Sequence, residues 1–360
     1  MSAVTLPFIQ VSGDPFEVGY QHGQARAAAL RDFVDDGLTR INKIAPAPTS
    51  LAELSPTLAK YSAAIAAAAP ALSEEIAGLA HGANLAAAEA LLLQTRRELI
   101  GFQKIPTRGD CTTYASLSAG PGGTPVLAQT VDLNGNLDDQ IAVLDIELSG
   151  PGHRRSLVLS FGGLLGYLGI NSDGLAIGLN LVLGGTWGPG LPPYLAIRHL
   201  LDTATSVDHA LEILPTLPLA SSRSLTLCDT GALACVEILD NQIRLTAATD
   251  AVESAHTNHY LHPDFAPADE LNVFARNSSQ QRLKAAKAGL AGFAESKAGA
   301  GVEEHFALLA QPGVCVAGAL DIRRERTVAT VVMLPSRGEL HVRPGDPTQS
   351  STVTHGIAQG

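Results

Sequence analysis

Basic residues are scarce in this sequence. Its 360 residues include 24 lysines and arginines against 35 aspartates and glutamates, which gives a formal net charge of −11. No run of basic residues interrupts this acidic background. The balance argues against nucleic acid and against a membrane surface as partners, and more weakly against polyanionic substrates.

Cysteines and long apolar runs are also few. Four cysteines do not suggest a disulfide framework in a chain of this length. Neither a CxxC motif nor histidines at ligand spacing indicate a zinc site, so we expect no metal and no cofactor. The longest apolar stretch, residues 65–72, is far shorter than the roughly 20 residues that span a bilayer. Residues 1–12 lack the basic and apolar regions of a secretory signal, and we therefore expect a cytoplasmic protein.

The apolar residues that are present suffice for a large core. Hydrophobic residues make up 46% of the chain and charged residues 16%, which is typical of a globular protein rather than a disordered one. The length allows one large domain or two ordinary ones.

The apolar pattern changes near residue 107. Before this point, alanine-rich segments with apolar residues at helical spacing predict helices. After it, short alternating or apolar segments bounded by Gly, Pro or Asn predict strands, with two pairs of helices between them. The predicted helices span residues 15–44, 58–79, 86–100, 192–203, 207–214, 277–291 and 302–309. The predicted strands span residues 111–118, 126–131, 141–148, 156–161, 166–171, 175–183, 224–228, 233–239, 242–247, 328–334 and 339–343.

Helices and strands therefore come in blocks rather than in strict alternation. This order predicts an α+β protein with antiparallel sheets, not a doubly wound nucleotide-binding fold. The glycine clusters lack the frame of a phosphate-binding loop, which supports the same conclusion. The tail after residue 345 is polar and predicts a frayed end.

Two motifs place a thiol and a carboxylate close together. Cys111 lies in the motif GDCTTY at residues 109–114, where a polar loop turns into a predicted strand. Asp132 ends the motif QTVD, in the strand that returns across the glycine-rich turn at residues 120–123. A hairpin of this length puts Asp132 roughly level with Cys111. Taken alone, each residue has a simpler interpretation, as a buried strand cysteine and as the first residue of a turn.

A third motif, HTNHYLH at residues 256–262, combines three histidines with an amide. The side chain of Asn258 is a suitable hydrogen-bond donor for an oxyanion. His256 or His259 would suit Cys111 in an ordinary cysteine hydrolase. A polar surface loop accounts for the segment equally well.

Together these motifs resemble the acyl-coenzyme A:isopenicillin N acyltransferase family of N-terminal nucleophile hydrolases. Bile salt hydrolases and acid ceramidases are more distant relatives of that family. The resemblance continues in the same order through GDPFEVG at residues 13–19, GINSDGL at 169–175 with Asn180 after it, the predicted hairpin that begins at residue 328, and GDP at 345–347. It covers most of the chain and implies a four-layer αββα sandwich with two antiparallel sheets.

The resemblance implies that the chain is a precursor that cuts itself between Asp110 and Cys111. The products would be a helical α fragment, residues 1–110, and a β fragment, residues 111–360, which together form one folded unit. Cys111 would then act as the nucleophile through its thiol and as the base through its new α-amine. An ordinary α-amine has a pKa of about 8, close to a neutral working pH.

The resemblance also implies roles for other positions. Asp132 matches the residue that hydrogen-bonds the free amine, and Asn258 matches the side chain of the oxyanion hole. Asn180, or less plausibly Asn171, matches a residue that holds the intermediate from the opposite side. The positions implied for support of the substrate or the oxyanion are Gln129, Tyr114, His259 and Arg326.

Two positions distinguish this sequence within the resemblance. Gln129 stands where bile salt hydrolases and ceramidases carry arginine, which favours the acyltransferase branch. Asp110 stands where the best-known member carries glycine, a residue that accepts a strained scissile geometry more easily. The second difference bears on the speed of self-cleavage.

Three hypotheses about function follow. The first is a linear-amide hydrolase or acyltransferase that takes a small-molecule acyl-amide as substrate, and the lack of a basic run for coenzyme A phosphates favours the hydrolase. The second is an uncleaved hydrolase in which Cys111 pairs with His256 or His259. The third is a non-catalytic binding protein on the same scaffold. A homo-oligomer is compatible with each.

Overall fold

Two β-sheets stacked face to face form the centre of the structure. The computed structural model describes the whole chain apart from residues 1–5, 102–110, 151, 153, 296–298, 317, 319–320 and 358–360. Its strands are β1 (Phe8–Gly13), β2 (Thr112–Gly120), β3 (Thr124–Leu133), β4 (Ile141–Leu148), β5 (Arg155–Phe161), β6 (Leu168–Asn171), β7 (Ala176–Asn180), β8 (Arg223–Cys228), β9 (Leu233–Leu239), β10 (Gln242–Ala247), β11 (Glu253–His256), β12 (Arg326–Leu334), β13 (Glu339–Pro344) and β14 (Val353–Gly356). Its α-helices are α1 (Pro15–Asp35), α2 (Ile41–Ile44), α3 (Leu51–Ala68), α4 (Pro70–Ala83), α5 (Ala87–Ile100), α6 (Pro193–Thr203), α7 (Val207–Ile213), α8 (Val273–Ala294) and α9 (Val302–Leu309).

The eight-stranded sheet has the order β1-β4-β5-β6-β7-β8-β9-β10, and the six-stranded sheet has the order β11-β2-β3-β12-β13-β14. Among the described strands, neighbours pair antiparallel except β1 and β4, which are parallel. The sequence analysis predicted only helices before residue 107 and missed β1. The strand has only six residues, which is too few to stand out beside the helical pattern that follows it.

The layers follow from the faces that the strands bury. Strands β2 and β3 of the six-stranded sheet pack against β7 and β8 of the eight-stranded sheet. Helices α1 and α6 cover the outer face of the eight-stranded sheet, and α8 and α9 cover that of the six-stranded sheet. This arrangement confirms the predicted α+β class and the four-layer αββα sandwich.

Helices α1 and α4 approach each other unusually closely. Asp14 caps the start of α1, since its side chain accepts a hydrogen bond from the Glu17 N–H, and Pro15 occupies the first turn. A Cβ atom on Gly19 would lie 2.0 Å from the Glu75 carbonyl oxygen, so no other residue allows this packing. The motif at residues 13–19 therefore has a structural cause: it starts α1 and lets it pack against α4.

One prediction about the end of the chain is wrong. Residues after 345 were expected to fray, but β14 pairs with β13 and extends the six-stranded sheet. Its His355 ring stacks on Phe8 at a centroid distance of 4.4 Å. A strand of four residues is too short for alternation to reveal. None of the helices in the described residues combines the length and the apolar content that a membrane crossing requires.

Candidate active site

Cys111 immediately precedes β2, and Asp132 lies near the end of the neighbouring strand β3. The two strands pair antiparallel with Thr112 opposite Thr130, which brings Cys111 and Asp132 side by side. The Asp132 N–H donates to the Cys111 Sγ at 3.4 Å. The thiol in turn lies 3.6 Å from the Asp132 carbonyl oxygen. The hairpin thus brings together the two residues that the sequence analysis singled out first.

The carboxylate of Asp132 is buried and held by two hydroxyl groups. Thr327 Oγ1 donates to Oδ1 at 2.5 Å, and Thr130 Oγ1 donates to Oδ2 at 3.0 Å. Thr327 belongs to β12, the other neighbour of β3, and its hydroxyl also accepts the Val316 N–H at 2.9 Å. Hydrogen bonds from two neighbouring residues restrict the carboxylate to one orientation beside Cys111.

Arg282 of α8 connects Cys111 to Asn258. Its Nη1 donates to the Cys111 carbonyl oxygen at 2.5 Å, and its Nη2 donates to Asn258 Oδ1 at 2.9 Å. Because a guanidinium group has only donors, the atom of Asn258 that faces it is the oxygen. The Asn258 Nδ2 therefore points the other way, where it donates to the Leu181 carbonyl oxygen at 2.9 Å. An amide nitrogen carries two hydrogens, so Nδ2 can serve a further acceptor.

The sequence analysis missed Arg282, although a signal was present. The buried face of α8 consists of small or apolar residues apart from this arginine. Its members are Ala275, Ser279, Arg282, Leu283, Ala286 and Leu290. A fully buried charged residue in such a stripe needs a specific partner, which in this structure includes the backbone of Cys111.

The histidines of residues 256–262 are engaged with the scaffold. Both ring nitrogens of His256 are hydrogen-bonded: Nδ1 lies 2.8 Å from the Thr257 carbonyl oxygen, and Nε2 lies 2.8 Å from Glu237 Oε1. His259 Nδ1 lies 2.7 Å from Ser279 Oγ, and burial, with a smaller contribution from His256, lowers the pKa of His259 to about 4. Both histidines therefore hold the loop that carries Asn258.

Gln129 ties the two sheets together next to Asn180. Its Nε2 donates to the Leu179 carbonyl oxygen at 2.7 Å, and its Oε1 accepts the Leu179 N–H at 2.9 Å. Asn180 follows in β7, and its buried side-chain amide has no hydrogen-bond partner among the described residues at either Nδ2 or Oδ1. Asn171, by contrast, donates from Nδ2 to the carbonyl oxygens of Leu201 and Ala204 at the end of α6, and its Oδ1 accepts the N–H groups of Asp173 and Leu175. Of the two asparagines, Asn180 is therefore the one whose side-chain amide remains available to bind a ligand.

Two other predicted site residues, Tyr114 and Arg326, do not join this group. The Tyr114 hydroxyl lies 2.9 Å from His305 Nδ1, in an apolar cluster between the six-stranded sheet and the outer helices. Tyr114 points there because it alternates with Thr113 along β2. Arg326 forms an ion pair with Asp138 at the start of β12. Asp110 lies outside the described residues.

One cavity contains Cys111, Asp132 and Asn258. Its wall is mainly apolar or aromatic. The lining residues come from segments before and after residue 111 in the sequence. The apolar and aromatic lining residues are Phe33, Leu93, Leu133, Leu137, Phe161, Leu164, Tyr167, Leu179, Leu181 and Tyr194. The remaining polar lining residues are Gln94, Arg96, Arg97, Asn134, Arg223 and Glu325. A cavity with this lining suits a ligand that is largely apolar and carries a few polar groups.

Comparisons with known proteins identify relatives of this chain. The sequence model of the family described as acyl-coenzyme A:6-aminopenicillanic acid acyl-transferase matches residues 118–349, more than half of the chain. The match includes Asp132, Asn180 and Asn258 and begins after Cys111. The chain is also 26% identical over 265 residues to the 40 kDa form of acyl-coenzyme A:6-aminopenicillanic-acid-acyltransferase from Emericella nidulans, which covers 73% of this chain and 72% of that protein.

Two solved structures are similar over 69% of this chain. One is penicillin V acylase from Agrobacterium tumefaciens, with a TM-score of 0.49, 15% sequence identity and 86% of that chain covered. The other is a mutant of the conjugated bile acid hydrolase from Clostridium perfringens, with a TM-score of 0.46, 12% identity and 97% of that chain covered.

Proposed function

The chain belongs to the acyl-coenzyme A:6-aminopenicillanic acid acyl-transferase family, and we propose that it is a self-processing enzyme that hydrolyses or transfers the acyl group of a linear amide through a thioester on Cys111. The observation that carries the proposal is the cavity shared by Cys111, Asp132 and Asn258. Arg282 strengthens it, because one guanidinium group holds both the Cys111 backbone and the Asn258 amide.

Maturation is proposed as an acyl shift from nitrogen to sulfur. The thiol of Cys111 attacks the carbonyl carbon of Asp110, the C–N bond between the two residues breaks, and the nitrogen gains a proton to become a free α-amine. Water then hydrolyses the thioester, which leaves a carboxylate on Asp110 and restores the thiol. Phe33, Leu93 and other residues from before the cut line the cavity, so the α fragment 1–110 must stay bound to the β fragment 111–360.

In turnover, the α-amine of Cys111 takes the thiol proton while the sulfur attacks the substrate carbonyl carbon. The second hydrogen of Asn258 Nδ2 stabilises the resulting oxyanion. Asn180 does not line the cavity itself, but it lies between the lining residues Leu179 and Leu181, and its unpartnered amide would supply a further donor. Removal of one such donor typically lowers the rate about 10²–10³-fold. The amine then passes its proton to the leaving nitrogen, and the C–N bond breaks to leave a thioester. Asp132 orients the amine throughout.

The thioester is resolved by one of two acceptors. Attack by water releases a carboxylic acid and makes the enzyme a hydrolase, whereas attack by a second amine makes it an acyltransferase. Product analysis with and without an added amine separates the two outcomes.

The alternative in which Cys111 pairs with a histidine has less support. Both ring nitrogens of His256 are bonded to other groups, and His259 is bonded to Ser279. Neither histidine lines the cavity that contains Cys111. A non-catalytic binding protein is also disfavoured, because nothing in binding alone requires a thiol, a carboxylate and an oriented amide together.

Intact-mass spectrometry tests the proposal. Wild-type protein is expected as two co-purifying fragments, residues 1–110 and 111–360, and the Cys111→Ala chain is expected to remain whole. Cys228→Ala provides a matched control, since Cys228 is equally buried but lies outside the cavity, and it should cleave like wild type. Cleavage of Cys111→Ala at the same bond would contradict the mechanism. Incubation of the matured enzyme with a panel of acyl-amides should add the acyl mass to the 111–360 fragment alone.

A further inference from the structure

Two buried ion pairs join the first hundred residues to the later part of the chain. Arg198 Nη1 of α6 lies 2.8 Å from Glu75 Oε1 of α4. Arg223 Nη2 of β8 lies 3.3 Å from Glu98 Oε1 of α5. All four side chains are at most 1% exposed. After the proposed cut, each pair would therefore connect the α fragment to the β fragment.

The two pairs differ in what the arginine contacts. Arg198 has a second carboxylate, since its Nε lies 2.9 Å from Asp202 Oδ1, and it does not line the cavity that contains Cys111. Arg223 does line that cavity. In the described part of the chain, Glu98 is the only acidic residue within ion-pair distance of Arg223. The position of Arg223 therefore depends on one charge, which the α fragment supplies.

Aromatic rings extend the effect of Arg223 along the cavity wall. Its guanidinium carbon lies 5.0 Å from the centre of the Trp187 ring and 5.3 Å from that of Tyr194, within cation–π range of both. Its Nη2 also donates to the Tyr194 hydroxyl at 3.4 Å. Tyr194 stacks on Tyr167 at a centroid distance of 5.1 Å, and both rings line the cavity. One guanidinium group thus connects Glu98 to two tyrosines of the wall.

A buried guanidinium group that loses its anion is unfavourable, since neither hydration nor an ion pair then compensates its charge. Such a group would move towards water, and the rings packed against it would lose the cation that holds them. On the basis of the proposed function, we propose that Glu98 is a positioning residue of the active site, which acts through Arg223 to fix the tyrosines of the cavity wall. The α fragment then contributes to turnover as well as to folding.

Kinetics of the matured enzyme test this role with two matched substitutions. Glu98→Gln removes the anion beside Arg223 and should raise the KM for a cleaved acyl-amide about tenfold, with kcat within about threefold, because the wall contacts the substrate rather than the reacting atoms. Glu75→Gln breaks the other buried pair between the fragments. It should change neither constant by more than about twofold, since Arg198 keeps Asp202. If Glu98→Gln leaves the KM unchanged, or if both substitutions raise it alike, the positioning role is wrong.

Trp187 reports on Arg223 without any turnover, because it is the only tryptophan in the chain and packs against that guanidinium group. In the full-length Cys111→Ala chain, Glu98→Gln should change the Trp187 emission, whereas Glu75→Gln should leave it unchanged. Unchanged emission in both variants would contradict the link between Glu98 and Arg223. A response of Trp187 without any amide cleavage by wild-type protein would reject the proposed reaction and support the link. Amide cleavage with a KM that is insensitive to Glu98→Gln would reject the positioning role alone.

A double-mutant cycle tests whether Glu98 acts through Arg223. The combination of Glu98→Gln with Arg223→Met should raise the KM little beyond the larger single effect, and multiplied effects would contradict the proposal. If Glu98→Gln does not fold, Ser221→Ala weakens the same contact without removing a charge. Ser221 Oγ donates to Glu98 Oε1 at 3.0 Å, and Ser221 does not line the cavity. Its replacement should raise the KM about threefold, and an unchanged KM would then overturn the proposal.

Discussion

Two groups of buried polar side chains flank Asn258, and they differ in how completely they are hydrogen-bonded. On one side, Glu237 accepts hydrogen bonds from His256 Nε2 and from two backbone N–H groups of the loop that follows. On the other side, Asn258 Nδ2 donates to the Leu181 carbonyl oxygen, and both polar atoms of the neighbouring Asn180 side chain have no partner in the described residues. Buried polar groups are normally paired, so the saturated group is a scaffold and the unsaturated one is where ligand atoms are expected.

Helix α8 joins the two groups through residues less than one turn apart. Ser279 Oγ accepts the Asn258 N–H at 2.8 Å and lies 2.7 Å from His259 Nδ1. Arg282 reaches the Asn258 side chain and the Cys111 carbonyl oxygen. The backbone of Asn258 is thus held by the scaffold, whereas its amide is oriented by the residue that also holds the nucleophile.

The largest effect is expected from loss of this connection. Arg282→Met should lower kcat/KM about 10²-fold or more, because Asn258 would lose the bond that points its Nδ2 away from Arg282. The measurement is turnover of a cleaved acyl-amide by matured protein, together with the rate of self-cleavage. Arg276→Met is a control on the same helix, since Arg276 pairs with Asp269 outside the cavity, and it should change kcat/KM by less than about threefold.

A double-mutant cycle makes the Arg282 prediction specific to positioning. If Arg282 acts through Asn258, the combination of Arg282→Met with Asn258→Ala should cost little more than the greater single effect. Additive losses would mean that Arg282 supports folding or Cys111 independently of the oxyanion donor.

Substitutions in the saturated, scaffold group should change the stability of the fold. Glu237→Gln is expected to lower the free energy of unfolding by about 2–3 kcal/mol at pH 7, because a buried charge-assisted network loses its acceptor. Burial by itself raises the pKa of Glu237, but the hydrogen bonds from His256 and the loop backbone outweigh it and hold the pKa below its ordinary 4.5. A carboxyl group with a depressed pKa stabilises the fold above its unfolded pKa and loses that contribution as the pH falls through the folded pKa.

Urea unfolding of wild type and Glu237→Gln between pH 7 and about pH 3 measures this contribution. The difference between the two proteins should persist down to the ordinary pKa of 4.5 and shrink below it. Glu339→Gln is a suitable control, since its pairing with His341 is partly exposed and should contribute less than about 1 kcal/mol. A difference that stays constant over the whole range would show that ionised Glu237 is not responsible.

The smallest effect is expected at Tyr114, which lies outside both groups. Tyr114→Phe removes the hydrogen bond to His305 and should lower the free energy of unfolding by about 1 kcal/mol. It should leave kcat/KM within about twofold of wild type, because Tyr114 does not line the cavity. A tenfold loss of kcat/KM at unchanged stability would return Tyr114 to the active site, as the sequence resemblance first suggested.

Much of the fold was accessible from local patterns. The predicted bounds of β4, β9, β10 and α9 agree with the structure, since alternation and turn residues act over a few positions. The proximity of Cys111 and Asp132 also followed from the length of one hairpin. Strands β1, β11 and β14 were missed. Each is short, and each is ordered by pairing with a neighbouring strand of its sheet rather than by its own sequence pattern.

The sequence by itself determined the order of the motifs, the α+β class and the identity of the thiol, carboxylate and amide that meet in the cavity. Only the tertiary structure decided which charged residues join them. Arg282 is separated from Cys111 by 171 residues, and its position depends on how α8 packs against β2. Local periodicity carries no information about such contacts, because they are selected by packing and desolvation across the whole fold.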